Sequence, residues 1–228
     1  MKRIKILLLT LLFYGCSQGY KVDNDNVYYI EWNEARGKVE RNIGADASTF
    51  KILNIENYAT DKNKVYYKGN LIDAADPLSF QPLSEFISKD KFQGYHNTTA
   101  IPHSDGRTFE VIDGNFSRDK NDVYYMDKPL KSTAPKAFEI LKIGHGNWAK
   151  DGVNYYYDGK KMLNVDYKTF QILDEDCFFA KDKFNVYNRD EILDGVDPTT
   201  FKYLDICVGQ DKYGCHNGSE RCECPIIN

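Results

Sequence analysis

The chain has 228 residues, a formal net charge of −4 and 28% charged against 42% hydrophobic residues. That acidic balance excludes a protein that tracks a phosphate backbone, so nucleic acid is not an expected partner. The length allows one large domain or an array of small units, and internal repetition has to decide between them.

Taken in order, Lys2, Arg3 and Lys5 form a basic start and Ile6 to Tyr14 an apolar run too short to span a bilayer as a mature helix. The run leads into Phe13-Tyr14-Gly15-Cys16, which resembles the lipobox of bacterial lipoproteins, with Phe13 in place of the usual Leu. The resemblance implies a signal peptide over 1–15, lipidation of Cys16, a tether over 16–22, and a chain held on the membrane of the cell envelope. An ordinary secretory signal with an incidental Cys is the second reading, and it too exports the protein. Loss of the three early cations leaves 27 against 34 acids, a mature charge of −7.

From Asp23 the chain repeats itself. Asp61-Lys62-Asn63-Lys64-Val65-Tyr66-Tyr67 returns as Asp119-Lys120-Asn121-Asp122-Val123-Tyr124-Tyr125, and looser copies begin at Asp23, Asp90, Asp151, Asp182 and Asp211. A Phe follows 19 residues after the Asp in five units, and these residues, Phe80, Phe109, Phe138, Phe170 and Phe201, are expected to be buried and equivalent. In the first unit the interval to Phe50 is 27 residues, the excess falling in the charged stretch 30–45, read as a longer hairpin or a loop. A Tyr recurs five after the Asp, and a small residue two before it from Ala59 through Ser88, Ser117, Ala149 and Ala180 to Gly209. Fixed spacing inside variable joints predicts one supersecondary unit per repeat.

Each unit reads as strands. Aromatic and β-branched residues flank a polar turn, the pattern of a hairpin, with Asn suited to a left-handed position. Asp76-Pro77 and Asp197-Pro198 predict one helical turn, with Asp as cap and Pro at the first helical position. The recurrent Tyr is expected to lie across from the small residue. These features predict an all-β array of six to seven units of about 30 residues over 23–210, a curved solenoid or propeller-like, closed by a Cys-rich cap over 211–228. The phrases DKNKVYY and DKNDVYY, followed by ADPLSF or VDPTTF, resemble the DKNYY repeat family of bacterial exported proteins. That resemblance implies a repeat architecture and no assigned activity.

No residue set specifies chemistry. Asp119, Asn121 and Asp122, or Asp23, Asp25 and Asn26, invite a calcium reading. Calcium wants six to eight oxygens and a distal carboxylate, so self-capped turns are preferred and no metal is expected. No HExxH or GxSxG occurs, and Cys215-His216 sets a thiol beside a base without completing a catalytic pattern, so no catalytic residue is named. The Tyr rows, represented by Tyr67, Tyr125 and Tyr157, suggest an aromatic surface for a protein or glycan partner. The leading function is a non-enzymatic, envelope-anchored binding or scaffold lipoprotein without cofactor. An envelope hydrolase with a concave pocket, or a purely structural envelope protein, are the alternatives.

Four cysteines, Cys207, Cys215, Cys222 and Cys224, crowd the last unit, and export places them where disulfides form. Cys222 and Cys224 are too close to bridge each other, so Cys207 is expected to pair with one and Cys215 with the other. Cys177, five before its Asp where Cys207 is four before its own, is expected on the opposite strand face and unpaired. A zinc site on Cys215, Cys222 and Cys224 with His216 or Cys207 is the rival.

Overall fold

The computed structural model describes residues 18–132, 134–141, 147–174, 177–205 and 207–225, which divide into two compact units, 1–85 and 86–228. The described chain is all-β, with seven small antiparallel sheets and one short 3-10 helix, Pro135–Ala137. In the first unit the strands Gly19–Asp23, Asn26–Asn33 and Gly37–Asn42 make a three-stranded sheet, so the charged stretch is the longer hairpin. Lys51–Ile52, Tyr58–Thr60, Val65–Tyr67 and Asn70–Leu71 form a four-stranded meander. In the second unit the same meander surrounds Asp119, Asp151, Asp182 and Asp211, and Ile87–Lys89, Gly94–His96 and Thr99–Ala100 pair likewise around Asp90.

The repeat Asp makes the central hairpin. Asp151 Oδ1 accepts the N–H groups of Val153 (3.2 Å) and Asn154 (2.8 Å), and the Asp151 N–H bonds to Asn154 O at 3.1 Å. The side chain closes a four-residue turn by capping its own backbone. Asp61, Asp90, Asp119, Asp182 and Asp211 repeat this pattern. The Asn of the motif is therefore not the left-handed residue. Positive φ falls at the second turn, on Lys68, Asn97, Met126, Asp158 and Arg189, seven after each Asp, and in two central turns on the residue after the Asp, Asn24 and Gly152. At Gly69 (φ +70°) a Cβ would stand 2.4 Å from the Cβ of Tyr29, so both conformation and close approach require glycine.

Register places the small residue directly across from the recurrent Tyr: Ala59↔Tyr66, Ser88↔Tyr95, Ser117↔Tyr124, Ala149↔Tyr156 and Ala180↔Tyr187. The Phe of each repeat is a plug between consecutive hairpins. Phe138 lies 5.5 Å from the Phe116 ring of its own repeat and 5.5 Å from the Tyr156 ring of the next. Phe170 sits likewise between Trp148 (6.0 Å) and Tyr187 (5.8 Å). Phe109, Phe138, Phe170 and Phe201 are buried as expected, while Phe80, expected to be equivalent to them, is only half-buried, as is Phe50. Hairpins of the array are thus covered on both faces, which buries three successive residues in Val65–Tyr67.

The expected helical turn is capped as foreseen. Asp105 and Asp166 Oδ1 accept the N–H three residues on, from Thr108 (3.0 Å) and Thr169 (3.1 Å). It closes as a turn rather than a helix in most repeats. The exception, Pro135–Ala137, follows Ala134 and has no side-chain cap.

Candidate functional site

Successive repeats in the second unit are joined through one carboxylate. Oδ2 of the repeat Asp accepts the phenol of the Tyr five residues on, at 3.0 Å for Asp119, 2.6 Å for Asp151 and 2.8 Å for Asp182. It also accepts a donor from the helical turn of the preceding repeat. The Asp105 N–H reaches Asp119 (2.5 Å), the Asp166 N–H Asp182 (2.7 Å), the Asp197 N–H Asp211 (2.7 Å), and the Ser132 hydroxyl Asp151 (2.9 Å). Burial raises the carboxyl of Asp151, but the Tyr156, Asn154 and Ser132 donors outweigh it and hold the group below its usual range. Burial and the facing carboxylate together push the Tyr156 phenol up. With its lone pairs taken by N–H and O–H donors, this carboxylate is a structural clasp rather than a cation ligand. Among the described residues, no group of three or more His, Cys, Asp or Glu is arranged to hold a metal ion.

The same turns touch their own hairpin tips. The Gly106 N–H bonds to Phe92 O at 3.0 Å, and the Lys131 and Ser132 N–H groups bond to Asp122 at 3.1 and 2.8 Å. Tips and helical turns therefore alternate along one edge of the second unit. At the tips, the second residue after the Asp is Phe92, Asn121, Val153, Phe184 and Tyr213. Phe92 (65%), Val153 (60%), Phe184 (65%) and Tyr213 (61%) are exposed there. The ammonium of the preceding Lys lies 4.8 Å from the ring centroid of Phe92, 4.6 Å from that of Phe184 and 4.8 Å from that of Tyr213. Lys183 is also paired with Asp166 (2.9 Å) and Lys212 with Asp197 (2.7 Å). The rings are held from one side and stay open on the other, beside a locally neutral Lys–Asp pair.

This edge replaces the aromatic surface expected from Tyr67, Tyr125 and Tyr157. Tyr67 and Tyr157 are buried and Tyr125 is half-buried. Each stacks on the aromatic residue across its hairpin: Tyr58 at 4.9 Å, Phe116 at 4.8 Å and Trp148 at 4.8 Å. Strand alternation exposes a row only when one face is free, and here neighbouring repeats cover both. The residues that are exposed were legible as departures from the motif, an aromatic or aliphatic group standing where DKN has Asn.

The cysteine expectation also changes. The bridges are Cys177–Cys207 and Cys215–Cys224, with Cys222 free. Cys177 and Cys207 precede the strands Phe179–Lys181 and Val208–Asp211 rather than lying in them, with φ of +65° at Phe178 and +59° at Cys207. Strand alternation does not govern residues in such turns, so the argument against this pair fails. Two members of the proposed zinc set are consumed by the Cys215–Cys224 bridge.

Cys16, His145 and the segment 1–17 lie outside the described residues. His96 and His103 fall in the repeat that begins at Asp90 and His216 in the one that begins at Asp211, and His216 is buried with neither ring nitrogen bonded. In the first unit, a cleft of about 580 Å³ is lined by Tyr20, Tyr29, Leu53, Asn57, Lys68 and Glu85. There the Tyr20 hydroxyl donates to Asn57 O and accepts from the Gly69 N–H, both at 3.0 Å, and Lys68 pairs with Glu85 at 3.6 Å. These are internal ties, and the cleft lining sets no nucleophile beside a base.

No curated protein and no solved structure matches the chain. The profile of the DKNYY family matches residues 20–160 and 87–220, overlapping ranges that span the repeats just described. The buried Asp clasp and its recurrent Tyr are the two ends of the motif in that family's name, and the chain belongs to the DKNYY family.

Proposed function

We propose that the protein is a non-enzymatic binding lipoprotein of the cell envelope, tethered through Cys16, whose docking face is the tip edge of the second unit. The observation carrying this reading is the exposure of Phe92, Val153, Phe184 and Tyr213 at one position of four repeats. Scattered exposed apolar groups need no explanation, but a set at equivalent places beside one repeated junction does. The partner is an extended polysaccharide. Sugar rings offer apolar C–H faces to open aromatic rings, and the flanking Lys–Asp pairs neither attract nor repel by net charge. Rings already held by Lys lose little freedom on binding. Recurrence of one junction along the chain supports the finer architecture, a curved solenoid or propeller-like array.

The test is co-sedimentation of the full chain in detergent with purified peptidoglycan sacculi. The wild type should sediment, and the triple variant Phe92→Ser, Phe184→Ser, Tyr213→Ser should bind at least tenfold more weakly at unchanged melting temperature. No sedimentation of wild type, or equal sedimentation of the variant, refutes the glycan reading. Capture of one envelope protein dependent on the same three residues would assign the edge to a protein partner instead.

A further inference from the structure

We propose that the C-terminal cysteines form a thiol–disulfide exchange site, in which Cys222 displaces Cys224 as the partner of Cys215. The strands Gly214–Asn217 and Glu220–Cys222 pair so that Cys215 and Cys222 are directly opposite. Opposed residues of an antiparallel pair point to the same face with Cβ atoms about 4.5–5.5 Å apart, near the span of a disulfide. Cys224 stands two residues further along the chain and is already bonded to Cys215, with a Cα separation of 5.1 Å. Residues i and i+2 of extended chain face the same way, so both cysteines address one sulfur. Cys215 is buried, Cys222 half-buried and Cys224 exposed. The free thiol is therefore neither a core residue nor remote from a bridge.

The step balances internally. Cys222 gives its proton to water, and its thiolate attacks Cys215 Sγ. The Cys222–Cys215 bond forms as the Cys215–Cys224 bond breaks. Cys224 leaves as thiolate and takes up a proton, so no oxidant or reductant is consumed. Gln210 Nε2 lies 3.5 Å from Cys224 Sγ and donates to the sulfur on which the leaving charge develops. Exchange moves the free thiol from the half-buried strand to the exposed segment beyond it, where its thiolate can attack an external disulfide, forming a mixed disulfide and releasing the other half of that disulfide as a thiol. Throughout, the buried Cys215 keeps one bridge. The Cys177–Cys207 bridge joins two turns 30 residues apart and takes no part in the exchange.

The experiment uses the full oxidised chain, alkylated under native conditions at pH 8 and then digested with glutamyl endopeptidase in acid. Cleavage after Glu220 and Glu223 separates Cys222 from Cys224. The label should be divided between the two peptides, with Cys215 bridged to the unlabelled partner in each population. Label confined to either cysteine overturns the proposal. In parallel, Cys222→Ser and Cys224→Ser should each retain one bridge to Cys215. Free thiols at both Cys215 and Cys222 in the oxidised Cys224→Ser protein would likewise overturn it, and the wild-type label decides even if that variant does not fold.

Discussion

Removing the Tyr156 hydroxyl tests the clasp that joins the repeats. Tyr156 is fully buried and donates to Asp151 Oδ2 at 2.6 Å. A hydrogen bond to a charged group is worth about 1.5–3 kcal/mol. In Tyr156→Phe, Oδ2 still accepts from Ser132 Oγ (2.9 Å) and Asn154 Nδ2 (3.2 Å), so the carboxylate is not orphaned. The expected cost therefore lies at the lower end, about 1.5–2 kcal/mol. Asp151→Ala strands the Tyr156, Ser132 and Asn154 donors together and should cost about twice as much or more. Urea unfolding at pH 7 measures both, and the double variant should cost less than the sum of the two. The folded Asp151 carboxyl is held below its ordinary value, so its contribution is present above the unfolded value near 4 and lost as pH falls through the folded one. The penalty of Tyr156→Phe should accordingly shrink in acid. A Tyr156→Phe protein within about 0.3 kcal/mol of wild type at pH 7, or strict additivity with Asp151→Ala, would refute the clasp.

Other perturbations reach the plug, the last repeat and the tether. Phe138→Ala empties a buried plug between Phe116 and Tyr156 and should cost about 3–5 kcal/mol by the same measurement. His216 occupies the place of the recurrent Tyr, so His216→Tyr should let a phenol reach Asp211 and raise the melting temperature by about 2–4 °C. Burial lowers the pKa of His216, so the wild type should lose stability as pH falls below about 6.5, and the difference from His216→Tyr should widen from pH 7 to pH 5. Ser117 stands where three other repeats have Ala, buried with its hydroxyl unbonded, and Ser117→Ala should be neutral or stabilising by about 1 kcal/mol. Cys16→Ala should remove the acyl mass and release the chain from the membrane fraction, and retention of both would refute the tether.

The amino-acid sequence alone determined the repeat, its boundaries at the seven Asp residues, the all-β class and the burial of Phe109, Phe138, Phe170 and Phe201. These follow from short-range rules: a capping Asp closes its own turn, and aromatic residues alternate with small ones across a hairpin. Tertiary structure decided what each feature faces. Spacing could not say that Asp151 receives its second set of donors from the preceding repeat, because Ser132 lies 19 residues away through a turn of variable length. Period-two reasoning placed Tyr67, Tyr125 and Tyr157 outside, and it fails because a hairpin stacked between two others has no free face. The same reasoning kept Cys177 from Cys207, and it fails because both stand in turns with left-handed backbone beside them, where chain direction rather than alternation aims the side chain. The exposed tips were visible one repeat at a time as deviations from the motif. Only the repeated junction between tip and helical turn lines them along one edge.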